Sequence, residues 1–236
     1  MAEWRVGRGW SEEELEARLA TAAALGRNFD VSVDEMNAAN GWNEYYSEAT
    51  VAVEPPGPPV PDGPFERGRV AISDYAFSDP RIVIGHFDPR LPLLGRRMLL
   101  EMRAVRALHY LAAVVVGAVR SEEEENVSVF GFRYDTLAGH IERGNEWFLL
   151  TKTHATGDIR FRIQAAWLPG EFPNWWSRVG FSLLGPVHQK IWHHRAHTLL
   201  AQLIRLPDPS APAGPGGLAH TDPHVIFQRS RGHDGY

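Results

Sequence analysis

The sequence predicts an α+β fold in which an antiparallel β-sheet packs against a long helix near the C-terminus. Three observations support this prediction: a helix signal after Ser11, period-two segments between residues 108 and 167, and a helical pattern from Pro186 onward. The chain has 236 residues, of which 44% are hydrophobic, so it has enough apolar material for a substantial core. The length and pattern favour a single folded domain over residues 1–206.

The composition excludes several classes of protein. The chain contains no cysteine, which rules out disulfide scaffolds, thiolate zinc sites and cysteine nucleophiles. Met1 is not followed by an apolar stretch, and no apolar run is long enough to span a bilayer, so we expect a cytoplasmic protein without a membrane span. The net charge of -5 gives no general attraction to phosphate backbones, so nucleic acid is not an expected partner.

The N-terminal half is predicted to begin with a helix and to continue as strands. Ser11 is a candidate helix cap and Glu14 occupies the capping-box position, so the first helix is expected to reach about residue 25. The segment 55–64 is expected to be an extended surface loop, because its prolines cannot donate to a sheet ladder. The predicted strands of this half cover residues 44–54, 65–73, 81–86 and 97–105.

The strongest sheet signal lies in four segments that are separated by short turns. In the last of them, Ile159, Phe161 and Ile163 alternate with polar residues, as a sheet with one apolar face requires. Polar turn sequences between the segments are typical of antiparallel neighbours. We therefore predict a meander with strands at residues 108–120, 127–135, 145–153 and 158–167.

The C-terminal third is predicted to hold a short turn, a long helix and a tail. Asn174 can cap the turn, and Pro186 is tolerated in the first turn of a helix that should reach about residue 206. A helical wheel separates an apolar face from a polar one, with Ile191, Trp192, Ala196, Leu199, Leu200 and Leu203 toward the sheet and Lys190, His193, His194 and His197 toward solvent. Residues 207–236 lack periodicity and are expected to form a disordered tail.

The order of short helices, a long antiparallel sheet and one C-terminal helix is that of the helix-grip fold, in which a curved sheet wraps around a terminal helix. Residues 130–140 read Phe-Gly-Phe-Arg-Tyr-Asp-Thr-Leu-Ala-Gly-His, and Glu142, Gly144 and Glu146-Trp147-Phe148 follow. This segment resembles the signature of the domain of unknown function 1990 family, also called uncharacterised protein family 0548. In that family an aromatic-rich strand ends in Tyr-Gly-Thr-Leu-Pro-Gly-His and precedes a Gly-Glu-Glu-x-Phe strand.

The resemblance covers about residues 97–203 and has three departures. Asp135 stands where the family commonly has glycine, Ala138 where it has proline, and Asn145 where it has the first glutamate of the pair. Membership implies a helix-grip fold similar to the START and birch-pollen-allergen superfamily. It implies no established activity.

A candidate site lies around the turn between the second and third strands of the meander. Imidazole and carboxylate groups within reach of each other are what general acid–base catalysis needs. We therefore expect His140 and either Glu142 or Glu146 to face a pocket, with Tyr134 and Thr136 among its binding residues. The alternative is structural, with side chains of this turn bonding its N–H groups and His140 capping a strand end.

Basic residues on neighbouring strands form a second candidate. Arg160 and Arg162, with Arg133, predict a basic patch on one sheet face, because alternate residues of adjacent strands stand side by side. Such a patch would bind the carboxylate or phosphate head group of a ligand. The alternative is cross-strand pairing of the same arginines with Glu146 or Glu101.

Tryptophans and histidines near the C-terminal helix also require interpretation. Trp175 and Trp192 are expected in the core, and they would line an apolar pocket if the helix stands off the sheet. His193 and His197 have the spacing of zinc-binding helices, but no third ligand is evident in the sequence. We therefore predict a solvated polar face there and no metal site.

Three functions remain open from the sequence. The first is a module that binds a small apolar or amphipathic molecule in a cavity between sheet and helix. The second is an enzyme that uses His140 with Glu142 or Glu146 as general acid and base on such a ligand, and the third is a scaffold without a ligand. No phosphate loop, nucleophile elbow or dinucleotide fingerprint is present, so no cofactor is predicted. The identity of the ligand and the oligomeric state remain open.

Overall fold

The computed structural model describes residues 2–103, 108–170, 175–205 and 223–230, with side chains in the last helix from residue 189 onward. In chain order these residues form β1 (Ala2–Val6), α1 (Glu12–Ala22), β2 (Asn43–Val53), α2 (Pro64–Ser73), β3 (Val83–His86), β4 (Arg97–Arg103), β5 (Leu108–Glu123), β6 (Val127–Thr136), β7 (Glu142–Thr153), β8 (Asp158–Pro169), α3 (Trp175–Ile204) and β9 (Ile226–Ser230). Two short 3-10 helices, Val33–Glu35 and Ala38–Asn40, precede β2.

The described strands form one curved antiparallel sheet. The order is β3-β4-β5-β6-β7-β8-β2-β9, and β1 pairs with the first part of β5. The register shifts in β2 between Thr50 and Ala52, and in β5 between Val116 and Ala118. Such irregularities bend a strand and increase its twist. The predicted α+β class and the helix-grip architecture are confirmed, and the four predicted meander strands correspond to β5, β6, β7 and β8.

One face of the sheet packs against α2 and α3 around the main hydrophobic core. The sheet contributes an apolar layer that includes Val51, Val114, Phe132, Phe148, Phe161 and Ile163. The helices contribute Phe65 and Ile72 from α2 and Trp192, Ala196, Leu200 and Ile204 from α3. The period of two along each strand directs these side chains to the same face.

The opposite face of the sheet is covered in part by α1. Ser11 caps α1, and the Glu14 side chain accepts a hydrogen bond from the Ser11 N–H in return, so the predicted capping box is confirmed. Trp10 and Ala22 pack with Leu99 and Leu111 in a smaller core on this face. The two helices α2 and α3 therefore lie on one face of the sheet and α1 on the other.

The prediction of a strand at residues 65–73 is wrong, because α2 occupies this segment. Pro64 takes the first helical position, where its fixed φ and missing N–H carry no cost. Phe65, Gly68 and Ile72 are buried, whereas Val70 is 62% exposed, which is the spacing of an amphipathic helix rather than of a strand.

The predicted face of the C-terminal helix is correct for Trp192, Ala196 and Leu200, which are buried, but wrong for other residues. Ile191 and Leu203 are 46% and 45% exposed, whereas His193 and His197 are fully buried. The helical wheel assigned the buried face by side-chain apolarity alone. It therefore placed the two histidines in solvent, although hydrogen bonds to Ser47 allow them to be buried. The sequence predicts a short turn followed by a separate helix that begins at Pro186. The main chain instead forms one continuous helix, α3, from Trp175 through Pro186. Asn174 lies outside the described residues.

The predicted disordered tail contains a strand. β9 pairs with β2 antiparallel, from Glu44 opposite Ser230 to Glu48 opposite Ile226. The Phe227 ring lies 6.3 Å from the Tyr45 ring, so β9 also makes a side-chain contact with the sheet. The prediction is therefore wrong for residues 226–230, where main-chain pairing supplies the order that the sequence pattern does not indicate.

A buried ion pair anchors the proline-rich segment 55–64. Lys152 Nζ lies 2.7 Å from the Glu54 carboxylate, and the two side chains are 0% and 1% exposed. The same carboxylate accepts hydrogen bonds from the N–H groups of Val60 and Phe65, and Lys152 also donates to the Pro58 carbonyl. Charge-assisted hydrogen bonds thus hold both ends of a segment that cannot join the sheet.

Candidate functional site

Five polar side chains form a connected group in the interior between the sheet and α3. We call this group the buried polar chain, and it consists of Tyr134, Glu146, His193, Ser47 and His197. The Tyr134 hydroxyl donates a short hydrogen bond to Glu146, and His193 Nε2 lies 3.6 Å from Glu146 Oε1. Burial of a polar group lowers the stability of the fold unless the group is hydrogen-bonded, so the partners of each group matter.

Strand register places the sheet members of the buried polar chain. Tyr134 on β6 is directly opposite Glu146 on β7, Glu146 is opposite Ala165 on β8, and Ala165 is opposite Tyr45 on β2. These four residues therefore form one row across the sheet. Since Ala165 presents only a methyl group, the row has a gap between Glu146 and Tyr45. The His193 ring lies 4.3 Å from the Tyr45 ring, and its Nε2 is close to Glu146. The imidazole therefore lies above the gap that Ala165 leaves.

Ser47 joins the two histidines of α3. Residues 193 and 197 are one turn apart, so their side chains project from the same face of the helix. Ser47 Oγ is 2.7 Å from His193 Nδ1 and 2.9 Å from His197 Nε2. Burial lowers the His197 pKa to about 3, so its ring is neutral near neutral pH.

The Ser47 hydroxyl has a single hydrogen, so it can donate to only one of the two imidazoles and must accept from the other. If His193 carries its proton on Nε2, that N–H faces the Glu146 carboxylate, Ser47 donates to His193 Nδ1, and His197 Nε2–H donates to Ser47. This assignment gives every contact a donor and an acceptor. His197 Nδ1 is then a buried acceptor with no hydrogen-bond partner among the described residues.

Glu142 is a second acidic residue on β7, at the start of the strand that carries Glu146. The alternation of β7 places Glu142 on the same face of the sheet as Glu146. Burial and the charge of Glu146 raise the Glu142 pKa to about 8, so Glu142 holds a proton at neutral pH. The charge of Glu142 in turn contributes to raising the Tyr134 pKa, after burial and Glu146. The three groups therefore influence one another.

Aromatic rings pack around Tyr134, which donates to Glu146. Burial, with a smaller contribution from the charge of Glu146, raises the pKa of Tyr75 well above its ordinary value. The Phe148 ring lies 5.3 Å from Tyr134, 5.8 Å from Tyr75 and 6.2 Å from Trp192. Trp192 donates a hydrogen bond to Ser78 Oγ, which fixes the position of its indole beside Phe148.

The structure does not join His140 to either glutamate carboxyl group within the described residues. His140 is buried, and its Nδ1 accepts a hydrogen bond of 2.9 Å from the Glu142 N–H at the start of β7. Burial lowers the His140 pKa to about 4. Its ring lies edge-on to Tyr110, whose hydroxyl accepts from the Ile141 N–H. The predicted pairing of imidazole and carboxylate is made instead by His193 and Glu146.

Thr136 connects the end of β6 to neighbouring segments. Its Oγ1 accepts a hydrogen bond of 2.8 Å from the Gly144 N–H and lies 2.6 Å from Asn28 Oδ1, to which it donates. Asn28 in turn donates to the Glu142 carbonyl. These contacts hold the turn from β6 to β7, and they fix the strand start that carries Glu142.

Arg160 and Arg162 lie on the sheet face that points away from α3. Ile159, Phe161 and Ile163 alternate with them and are fully buried against the helices, so the arginines face outward. Arg162 donates to Glu48 at 2.9 Å, and Arg160 is 3.7 Å from the same carboxylate. The arginines are therefore in cross-strand pairs, with Glu48 rather than with the expected Glu146 or Glu101.

Other predicted residues have mixed outcomes. Trp192 is 6% exposed and packs against Phe148, whereas the Trp175 side chain lies outside the described residues. The prediction of a solvated face at His193 and His197 is wrong.

Across the described ranges, no group of three or more His, Asp or Glu side chains is arranged to hold a metal ion. Nor does any helix in this part of the chain combine the length and apolarity that crossing a bilayer requires.

Comparison with protein families places this arrangement in context. Residues 26–199 match the model of the family described as "Domain of unknown function (DUF1990)". The chain belongs to this family. The matched region contains every residue of the buried polar chain and Glu142, while β1, α1 and β9 lie outside it. The resemblance found in residues 130–148 is thereby confirmed.

Among solved structures, the crystal structure of Ara h 8.0201 is similar to this chain. The sequence identity is 10%, the TM-score is 0.39, and the match covers 70% of this chain and 98% of that chain. The search of curated proteins finds no match.

Two features of the sequence indicate Ser47, His193 and His197, which were not among the predicted site residues. Ser47 shares a strand face with Tyr45, Ala49 and Val51, all of which are buried, so it is a polar residue on a largely apolar face. His193 and His197 share a helix face at the correct spacing to meet one partner. A polar residue at a core-facing position indicates a specific buried contact, which an apolar residue at the same position does not.

Proposed function

We propose that the protein binds a small amphipathic molecule between the sheet and α3, with the buried polar chain orienting the polar end of the ligand. The observation that supports this proposal is a buried imidazole with unused capacity. His193 Nε2 and His197 Nδ1 have no hydrogen-bond partner among the described residues. Buried polar atoms of native proteins nearly always have a partner, so an unpaired one indicates a missing ligand or a functional role.

The surroundings of the buried polar chain suit such a ligand. Phe148, Trp192 and Tyr75 offer apolar surface on one side, whereas Glu146 and Glu142 offer polar atoms on the other. Binding sites for small molecules combine mostly apolar walls with a few convergent polar groups. Arg160 and Arg162 do not enter the proposed site, and His140 and Thr136 act on it by fixing the start of β7.

A search for co-purified small molecules tests the proposal. Purified protein is denatured, and the released small molecules are identified by mass spectrometry. Tyr134→Phe and Glu146→Gln should lose the bound molecule, because each removes one polar contact from the site. Tyr46→Phe is the matched control, since Tyr46 stacks on Arg162 at the outer face of the same sheet.

The control protein should retain the ligand at the level of the unaltered protein. A preparation that releases no stoichiometric molecule would contradict the proposal. So would equal retention by Tyr134→Phe, Glu146→Gln and Tyr46→Phe, because the buried polar chain would then make no contribution to binding.

General acid–base catalysis on the same ligand is a second candidate, and one observation favours it. Glu142, with a pKa raised to about 8 by burial and by the charge of Glu146, lies on the same strand as that second carboxyl group. Two neighbouring carboxyl groups in unequal environments are suited to separate acid and base roles. Incubation of the identified ligand with the protein, followed by mass spectrometry, tests this role. An unchanged ligand would leave binding as the function.

A further inference from the structure

An open groove lies on the outward face of α3, on the side of the helix that points away from the main core. Its volume is about 800 Å³, and the described residues that line it belong to α3, to the segment between α2 and β3, and to β9. Binding sites for small molecules have volumes of about 300–1,000 Å³. Part of the groove, Phe227 in β9, lies outside the residues that match the family.

Two contacts define the sides of the groove. The Lys190 Nζ atom lies 5.4 Å from the centre of the Phe227 ring. Arg195 donates a hydrogen bond of 3.2 Å to Asp79, in the segment that precedes β3. Positions 190 and 195 are separated by about 140° around a helix of 3.6 residues per turn, so Phe227 and Asp79 stand on different sides of α3.

The floor of the groove combines an apolar side chain with an unpaired polar one. Ile191 and Thr198 line the groove, and on a helical wheel they lie between Lys190 and Arg195. Ile191 is 46% exposed, and Thr198 Oγ1 is buried without a hydrogen-bond partner among the described residues. A buried hydroxyl without a partner is rare in native proteins and requires an explanation, such as a ligand that the structure does not include.

The charges along the groove are predominantly positive. Arg81, Lys190 and Arg195 line it, and Asp79 is the one acidic side chain among its described lining residues. Asp79 is shared between Arg81 at 2.8 Å and Arg195 at 3.2 Å, whereas the described contact of Lys190 is with the Phe227 ring. The whole chain has a net charge of -5, so a cluster of three cations and one anion departs from the general charge of the protein.

We propose that this groove binds a small molecule with an apolar body and an anionic head group. The apolar body would lie on Ile191 and Phe227, and the head group would pair with Lys190 and with Arg195, whose guanidinium shares its carboxylate with a second arginine. A cationic head group would be repelled by the same side chains. The proposal does not rest on the proposed function, because the two sites lie on opposite sides of α3.

Calorimetric titration with three compounds of one chain length tests the proposal. Decanoate, decanol and decylamine share a ten-carbon tail and differ in the head group. An exposed ion pair strengthens binding by up to about fivefold, so two pairs should make decanoate bind about five- to tenfold more tightly than decanol, with decylamine weakest. Lys190→Gln should remove most of this preference. Raising NaCl from about 50 to about 500 mM should also reduce it, because salt screens exposed charges.

A matched pair of substitutions on α3 locates the site. Ile191→Glu places a carboxylate in the floor of the groove and should weaken decanoate binding at least about tenfold, because like charges repel. Leu203→Glu is the control, since Leu203 is 45% exposed on the same helix and is not among the lining residues. It should bind decanoate as the unaltered protein does. Melting temperatures of both variants report whether they are folded.

Several outcomes would overturn the proposal. They are equal binding of the three compounds, no binding of decanoate, decanoate binding that survives both Lys190→Gln and Ile191→Glu, and equal losses in Ile191→Glu and Leu203→Glu. Tyr134→Phe and Glu146→Gln should leave decanoate binding unchanged, because these residues lie on the other side of α3. If they lose decanoate while Ile191→Glu retains it, the compound occupies the interior, which overturns the groove and supports the proposed function.

Discussion

His193 Nε2 lies 3.6 Å from Glu146 Oε1, so a helix residue and a strand residue meet through their polar atoms in the interior of the fold. The distance is longer than a hydrogen bond, which leaves the imidazole held mainly by Ser47. Ser47 is therefore the residue on which the geometry of the buried polar chain depends.

Replacement of Ser47 by alanine should lower the free energy of unfolding by about 1–3 kcal/mol, because two buried imidazole nitrogens lose their hydrogen-bond partner. Urea denaturation measures the change. Ser121→Ala, at an exposed position on β5, should change it by less than about 0.5 kcal/mol. Equal effects of the two substitutions would show that Ser47 does not support the histidines.

Lys152→Met should be among the most destabilising single changes. It leaves the Glu54 carboxylate buried without its cation, and the expected loss is about 3–5 kcal/mol. Arg120→Met provides the comparison, since the Arg120–Glu122 pair is about 40% exposed and should contribute less than about 1 kcal/mol. If Lys152→Met unfolds at the same urea concentration as the unaltered protein, the pair does not anchor the proline-rich segment.

Acidic pH should destabilise the protein in part through His140. Its pKa is lowered to about 4 in the folded state, against about 6.5 in the unfolded chain. The unfolded chain therefore binds a proton first as the pH falls, and the contribution of His140 is complete above pH 6.5 and is lost toward pH 4.

His140→Asn isolates this effect, because the amide oxygen can still accept from the Glu142 N–H. Between pH 7 and 5 the unaltered protein should lose more unfolding free energy than the variant does, as measured by urea denaturation at both pH values. His194→Asn, at an exposed position, should follow the unaltered protein. Parallel curves for the unaltered protein and His140→Asn would contradict the prediction.

The orientation of α3 can be tested by a pair of leucines three residues apart. Leu200 is fully buried, so Leu200→Ala should cost about 2–5 kcal/mol, whereas Leu203 is 45% exposed and Leu203→Ala should cost less than about 1 kcal/mol. Thermal and urea unfolding both report the difference. Equally large losses at both positions would restore the helix face that the apolar pattern predicted, on which both leucines lie toward the sheet, and a reversed order would contradict the observed orientation of α3.

Deletion of residues 223–236 should lower the melting temperature by about 2–4 °C, because β2 loses its pairing with β9. Phe227→Ala should reproduce part of the decrease, since Phe227 contacts Tyr45. Ile226→Ala should have little effect, because Ile226 is 50% exposed. An unchanged melting temperature after the deletion would support the disordered tail that the sequence predicted.

The candidate site was predictable in part. Tyr134, Glu142, Glu146 and Trp192 were among the expected residues; the structure joins Tyr134 to Glu146 and packs Trp192 on the same Phe148 ring as Tyr134, and the functional role of all four is a proposal. His140 was expected to supply the imidazole, because it is close to the glutamates along the chain. The imidazole at Glu146 comes instead from His193, 47 positions away, through the packing of a helix on a sheet.

The sequence by itself determined the strands of the meander, the capped first helix and the family, because these depend on local periodicity and on a continuous motif. Tertiary structure alone decided three other features: the helix at Pro64–Ser73, the pairing of β9 with β2, and the side of α3 that faces the sheet. Each of these depends on partners that are distant in sequence. Hydrogen bonds to Ser47 allow two histidines to be buried where their polarity predicts exposure, and only the fold brings Ser47 to them.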